Sequence, residues 1–74
     1  MDKDDDKDIC RTFAERVRRL RRERDLSLDD LAERADIHRT YLSSLERTGA
    51  RNPTIRVAKR IAKALGVSMG SLLD

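Results

Sequence analysis

The sequence predicts an all-α fold of five helices, and three observations predict it. Apolar residues recur at spacings of three and four along most of the chain, and no stretch alternates apolar with polar residues as a half-buried strand does. The 74 residues hold one Phe, one Tyr and no Trp, so the core must be aliphatic and small, which suits helices. A chain of this length forms one domain with a marginal core, and a second copy of itself is a natural source of further burial.

The opening Met1 to Asp8, MDKDDDKD, carries five Asp and two Lys with no apolar anchor. It is expected to be a disordered acidic tail, natural or appended, leaving residues 9–74 as the folded domain. Ile9, Phe13, Val17 and Leu20 then repeat at four, four and three, an amphipathic helix with Asp8 at its cap or first turn. It should end near Asp25, after which Leu26 tucks inward. Ser27 is a cap for a second helix, with Asp29 and Asp30 in its first turn and Leu28, Leu31, Ala32 and Ala35 on one stripe. That stripe breaks at Asp36-Ile37. A third helix, from about His38 to Arg47, turns Leu42 and Leu45 inward. Thr48 to Pro53 carries loop signals, a Gly able to take positive φ and a Pro unable to continue a helix. Thr54 caps a fourth helix in which Ile55, Ala58, Ile61, Ala62 and Leu65 share a face, and Gly66 sits where a helix-ending glycine belongs. Ser68 opens a short fifth helix, Met69 to Leu73.

The second and third helices meet at a tight corner, the skeleton of a helix-turn-helix. Opposite its inward Leu42 and Leu45, the third helix carries Arg39, Thr40, Ser43, Ser44 and Arg47, side chains able to reach base edges and phosphates. Charge agrees with that surface. The net charge is +3, but residues 2–8 contribute −3, which leaves +6 on the rest. Seven Arg face two Glu between Arg11 and Arg24, and further cations lie at Arg39, Arg47, Arg51, Arg56, Lys59, Arg60 and Lys63. The Arg16 to Arg24 cluster reads equally well as a solvated helix face. The other cations coincide with the expected contact surface and favour a polyanion.

Other chemistry finds no footing. One cysteine, Cys10, and one histidine, His38, supply neither a disulfide framework nor a metal site, and Cys10 reads as a first-turn helix residue. Paired carboxylates in a pocket-forming context, a nucleophile with its base and a Gly-rich phosphate loop are all missing, so no enzymatic activity, cofactor or small-molecule ligand is expected. Nothing resembles a signal peptide or a membrane span, and the expectation is a soluble protein of the cytoplasm.

Residues 13–73 resemble the Cro/repressor-type helix-turn-helix family, also called XRE. The marks are Leu31-Ala32, Tyr41-Leu42, Leu45-Glu46-Arg47, Arg51-Asn52-Pro53-Thr54 and Ala62-Lys63-Ala64-Leu65-Gly66-Val67. Within the family, Arg39-Thr40-Tyr41 with Leu45-Glu46-Arg47 is most similar to the controller proteins of restriction-modification systems, single-domain dimers that regulate their own operon and the endonuclease gene. The resemblance implies a five-helix, lambda-repressor-like domain. It also implies a transcription regulator that binds double-stranded DNA as a homodimer on a palindromic operator, with RNA polymerase a further partner where it activates.

With the third helix in the major groove, Arg39 is the first candidate for a bidentate contact to guanine, followed by Thr40, Ser43 and Ser44. Tyr41 either meets the DNA or packs half-buried at the corner's edge. Phosphate contacts are expected from Ser27, Arg47, Arg51, Asn52 and the helix end behind Thr54, although capping alone also accounts for Ser27 and Thr54. Glu46 in this family pairs with an Arg of the first helix, here Arg21. Val67, Met69, Leu72 and Leu73 are expected at the dimer surface.

Three departures from the family pattern stand out. Leu28 replaces a Gln that often touches the DNA backbone, Asp25 and Asp36 occupy positions where Gly is common, and His38 replaces the usual Ser, Thr or Asp cap. An antitoxin or other protein-interaction module of the same fold is the alternative; the short tail after Leu73 argues against it, and copurification with an unrelated protein would favour it.

Overall fold

The computed structural model describes the backbone of residues 3–48 and 53–73, and the side chains of residues 9–47 and 53–73. Five helices follow one another, α1 (Lys3–Glu23), α2 (Leu28–Ala35), α3 (Arg39–Thr48), α4 (Ile55–Leu65) and α5 (Met69–Leu73), with no strand among the described residues. α1 packs on α3, α4 and α5, while α2 lies against α3 and α4.

α1 starts at Lys3, six residues before the expected Ile9, so residues 3–8 are helical backbone rather than a structureless tail, and Asp8 lies inside the helix instead of capping it. Arg21 and Arg22 fall in its last turn, where the helix macrodipole favours positive charge. The helix closes with Asp25 in the left-handed region, φ 53°, and Leu26 donates its N–H back to the Arg21 carbonyl at 3.0 Å. That reversal turns Leu26 into the core.

α2 and α4 repeat one grammar. Ser27 Oγ accepts from the Asp30 N–H at 3.0 Å, and the Asp30 carboxylate accepts from the Ser27 N–H at 3.1 Å, a complete capping box. Thr54 Oγ1 accepts from the Val57 N–H at 3.1 Å. α2 ends on Asp36 at φ 56° and α4 on Gly66 at φ 72°, both left-handed. His38 serves α3 through its carbonyl, which accepts from the Leu42 N–H at 3.0 Å. α5 is fastened from both sides: Ser68 Oγ accepts from the Ser71 N–H at 3.2 Å, and Arg16 Nη1 donates to the Ser71 carbonyl at 3.3 Å.

Phe13, Val17, Leu31, Leu42, Leu45, Ile61, Leu65 and Leu72 are fully buried. Ala14, Ala32, Ala35, Ala58 and Ala62 lie between them and let the helix axes approach closely. Three expectations are corrected here, two from periodicity and one from resemblance and composition. Ile9 and Ile55 are exposed, at 43% and 76%, and not covered by the core. Leu72, expected at a dimer surface, is buried in the chain's own core as the anchor of α5, so its side chain is not offered to a partner. Val67 and Met69 are half-buried against the core, and Leu73 is exposed.

Candidate nucleic-acid interface

The candidate surface is built on the crossing of α1 and α3. Arg21 and Glu46 meet there as a two-pronged fork, with Nε donating to Oε2 at 2.9 Å and Nη2 to Oε1 at 3.0 Å. The third prong, Nη1, donates to the Leu26 carbonyl at 2.7 Å. Both side chains are largely out of water, at 13% and 6% exposure. A bidentate geometry fixes orientation as well as distance. One guanidinium therefore sets the pose of α3 on α1 and holds the connection that leads into α2.

With Leu42, Leu45 and Glu46 facing inward, α3 shows solvent the side chains the sequence singled out. Arg39, Thr40 and Arg47 are exposed, while Tyr41, Ser43 and Ser44 are half-buried along the same helix. Arg39 leads this face and is tied: its Nε lies 3.2 Å from the Asp29 carboxylate on α2, both groups more than half exposed. The sequence reading treated Asp29 only as a first-turn helix acid. The pairing crosses between two helices, and no local spacing announces it.

The expected phosphate contacts separate. The Ser27 N–H donates to the Asp30 carboxylate and the Ser27 hydroxyl oxygen accepts from the Asp30 N–H; hydrogen bonding from the Ser27 backbone first, and then from its side chain, holds the Asp30 carboxyl below the usual carboxylate range. The start of α2 thus carries its own negative charge. The start of α4 carries no acid in its first turn, and Thr54 there is exposed. Arg51 and Asn52 lie outside the described residues. No group of three candidate metal ligands occurs among the described residues, and no helix there is long and apolar enough to cross a membrane.

A polar outer face on a helix held at a tight corner is the arrangement that the helix-turn-helix family model captures, and that model matches residues 17–72. The chain belongs to the helix-turn-helix family. Among its relatives, the transcriptional regulator SinR of Bacillus subtilis is 40% identical over 62 residues, which cover 84% of this chain and 56% of SinR. This chain therefore spans little more than half of that relative's length. A crystal structure of SinR in complex with DNA superposes with a TM-score of 0.79 at 39% identity, covering 84% of this chain and 98% of that one. The control protein C.BamHI of Bacillus amyloliquefaciens is 43% identical over 63 residues, 84% of this chain and 76% of its own. The restriction-modification controller protein C.AhdI of Aeromonas hydrophila superposes with a TM-score of 0.80 at 30% identity, covering 85% of this chain and 94% of that one. The two relatives compared by sequence are thus a transcriptional regulator and a control protein.

Proposed function

We propose that this protein is a sequence-specific regulator of transcription that binds double-stranded DNA as a homodimer on a palindromic operator, in the manner of a restriction-modification controller protein. The observation that carries the reading is the outer face of α3. Its Arg39, Thr40 and Arg47 are exposed while Leu42, Leu45 and Glu46 hold the same helix from behind. In the major groove, Arg39 pairs with guanine through its two Nη groups while Asp29 holds Nε. Thr40, Tyr41, Ser43 and Ser44 meet neighbouring base edges, and Arg47 with the free N–H groups behind Thr54 meets phosphates, as do Arg51 and Asn52 by family resemblance. Such a protein works where the chromosome is, in the bacterial cytoplasm, and meets RNA polymerase wherever its operator adjoins a promoter. No enzymatic step is part of this reading.

The second copy is best received at the α4–α5 end. The exposed large apolar side chains among the described residues are Ile9, Ile55 and Leu73, and all three line one apolar hollow of about 110 Å³ that Met69 also borders. Val67 and Met69 extend this surface; Leu72 does not, being internal. Leu73→Glu should leave the fold intact and shift the protein to monomer in sedimentation analysis, with specific DNA binding falling in parallel. A dimer of undiminished stability would move the interface elsewhere.

Selection of duplexes from a random library at about 150 mM salt, where purely electrostatic binding is weakened, tests the whole reading. The expected product is a two-fold symmetric site with half-sites about one helical turn, about 34 Å, apart. Binding at low salt with no enriched sequence would overturn it.

A further inference from the structure

We propose that Arg18 and Arg22 of α1, together with Arg47 of α3, form a seat for one phosphate of the DNA backbone beside the reading face; the inference rests on the DNA-binding role proposed above. Arg18, Arg21 and Arg22 fall at i, i+3 and i+4 and so share one face of α1, and Ser43, Glu46 and Arg47 share one face of α3 in the same way. The Arg21–Glu46 fork clamps the two faces together. The side chains beside the fork are thereby brought around an open hollow of about 210 Å³, walled by Arg18, Arg22, Ser43 and Arg47, with Leu28 at its edge.

Its electrostatics are one-sided. The single carboxylate in the wall, Glu46, spends both oxygens on Arg21. Arg18, Arg22 and Arg47 form no ion pair among the described residues, and all three are exposed. Three guanidiniums gathered at one opening repel each other until an anion lies between them, and guanidinium forks suit the oxygens of a phosphate diester. The hollow flanks α3, where a strand of a duplex whose major groove receives α3 must pass.

The start of α2 makes the same point by contrast. Leu28 offers only methyl groups, Asp29 and Asp30 add negative charge, and Ser27 is committed to Asp30. The backbone anchor on this side of α3 has moved from the start of α2 onto the arginines of α1.

The test compares the full-length wild type with the double variant Arg18→Gln, Arg22→Gln, and with Arg34→Gln, an exposed position on α2 outside the proposed contacts, as control. Each binds the selected duplex, or a generic duplex where selection returns none, across a series of salt concentrations. The expected result is an affinity loss of about tenfold or more at moderate salt and a salt dependence shallower by about two units of slope, one for each seat of the dimer, with base preference unchanged. Arg34→Gln should match wild type, and Arg18→Lys with Arg22→Lys should restore the slope but not the full affinity. Glutamine is a good helix former at exposed positions, so thermal melts should stay close to wild type. A double variant with wild-type slope and affinity overturns the seat. Wild type that binds without sequence preference overturns the specific-regulator reading alone, because the slope comparison still decides the seat. Wild type that binds no duplex overturns both.

Discussion

α2 and α4 share a plan and differ in charge. Each begins on a hydroxyl cap and ends on a left-handed residue, yet α2 has two carboxylates in its first turn and α4 has none. Both arrangements answer the same partial positive charge at a helix start. In α2 the answer is internal: Asp30 closes the capping box, Asp29 reaches Arg39, and Arg21 fastens the approach to the helix through the Leu26 carbonyl. In α4 the answer is Thr54 alone, with no carboxylate in the first turn. The difference teaches that two helices built on one plan can differ in whether their first turn supplies its own negative charge.

The largest expected effect comes from breaking what secures the α2 side. Glu46→Ala strands the Arg21 guanidinium, and urea unfolding should show a loss of about 2–3 kcal/mol. A loss below about 1 kcal/mol would mean that Leu42 and Leu45 alone set the pose of α3. Next, Thr54→Asp keeps an acceptor for the Val57 N–H and adds a charge, making the start of α4 resemble that of α2. Stability should hold, while DNA affinity falls about tenfold, roughly 1.4 kcal/mol. Undiminished binding would show that α4 offers no phosphate contact.

The C-terminal caps invite an exchange. Gly66→Ala meets nothing within 4 Å, so its cost, about 1 kcal/mol in thermal unfolding, isolates the left-handed φ. Asp36→Gly relieves the same strain and should stabilise by a few tenths of a kcal/mol. If the two changes do not differ in sign, the caps are not equivalent.

The smallest effect is a pH dependence. Because the folded Asp30 carboxyl titrates below its ordinary value, its contribution is full above that value and is lost as pH falls through the lowered one. The stability gap between wild type and Asp30→Asn should narrow on acidification across that window. A gap that stays constant would disconnect Asp30 from the cap.

Much of the fold was legible because its signals are short in range. Ser27, Thr54 and Gly66 act within four residues of themselves, and the left-handed Asp25 and Asp36 stand where the chain had to reverse. What escaped depends on neighbours. A charged opening run with no apolar anchor has the composition of a disordered tail, yet α1 begins at Lys3 within it. Helical periodicity assigns Ile9 and Ile55 to apolar faces but does not say how far a face is covered, and both emerge into solvent; Leu72, assigned to a dimer surface by resemblance and composition, goes inside. On the candidate surface, the exposed side of α3 followed from its own period. The Asp29–Arg39 tie and the convergence of Arg18 and Arg22 on Arg47 required the helices to be placed first.

Tyr41 is the chain's one tyrosine, no tryptophan accompanies it, and it sits half-buried on α3. Fluorotyrosine incorporated during expression would therefore label this one helix and nothing else. A free symmetric dimer must give one ¹⁹F resonance. On a perfect palindrome the line should shift yet stay single, and on an operator with unlike halves it should split in two. The composition that left the core without large aromatics thus leaves one reporter on which the proposed dimer and operator can be read.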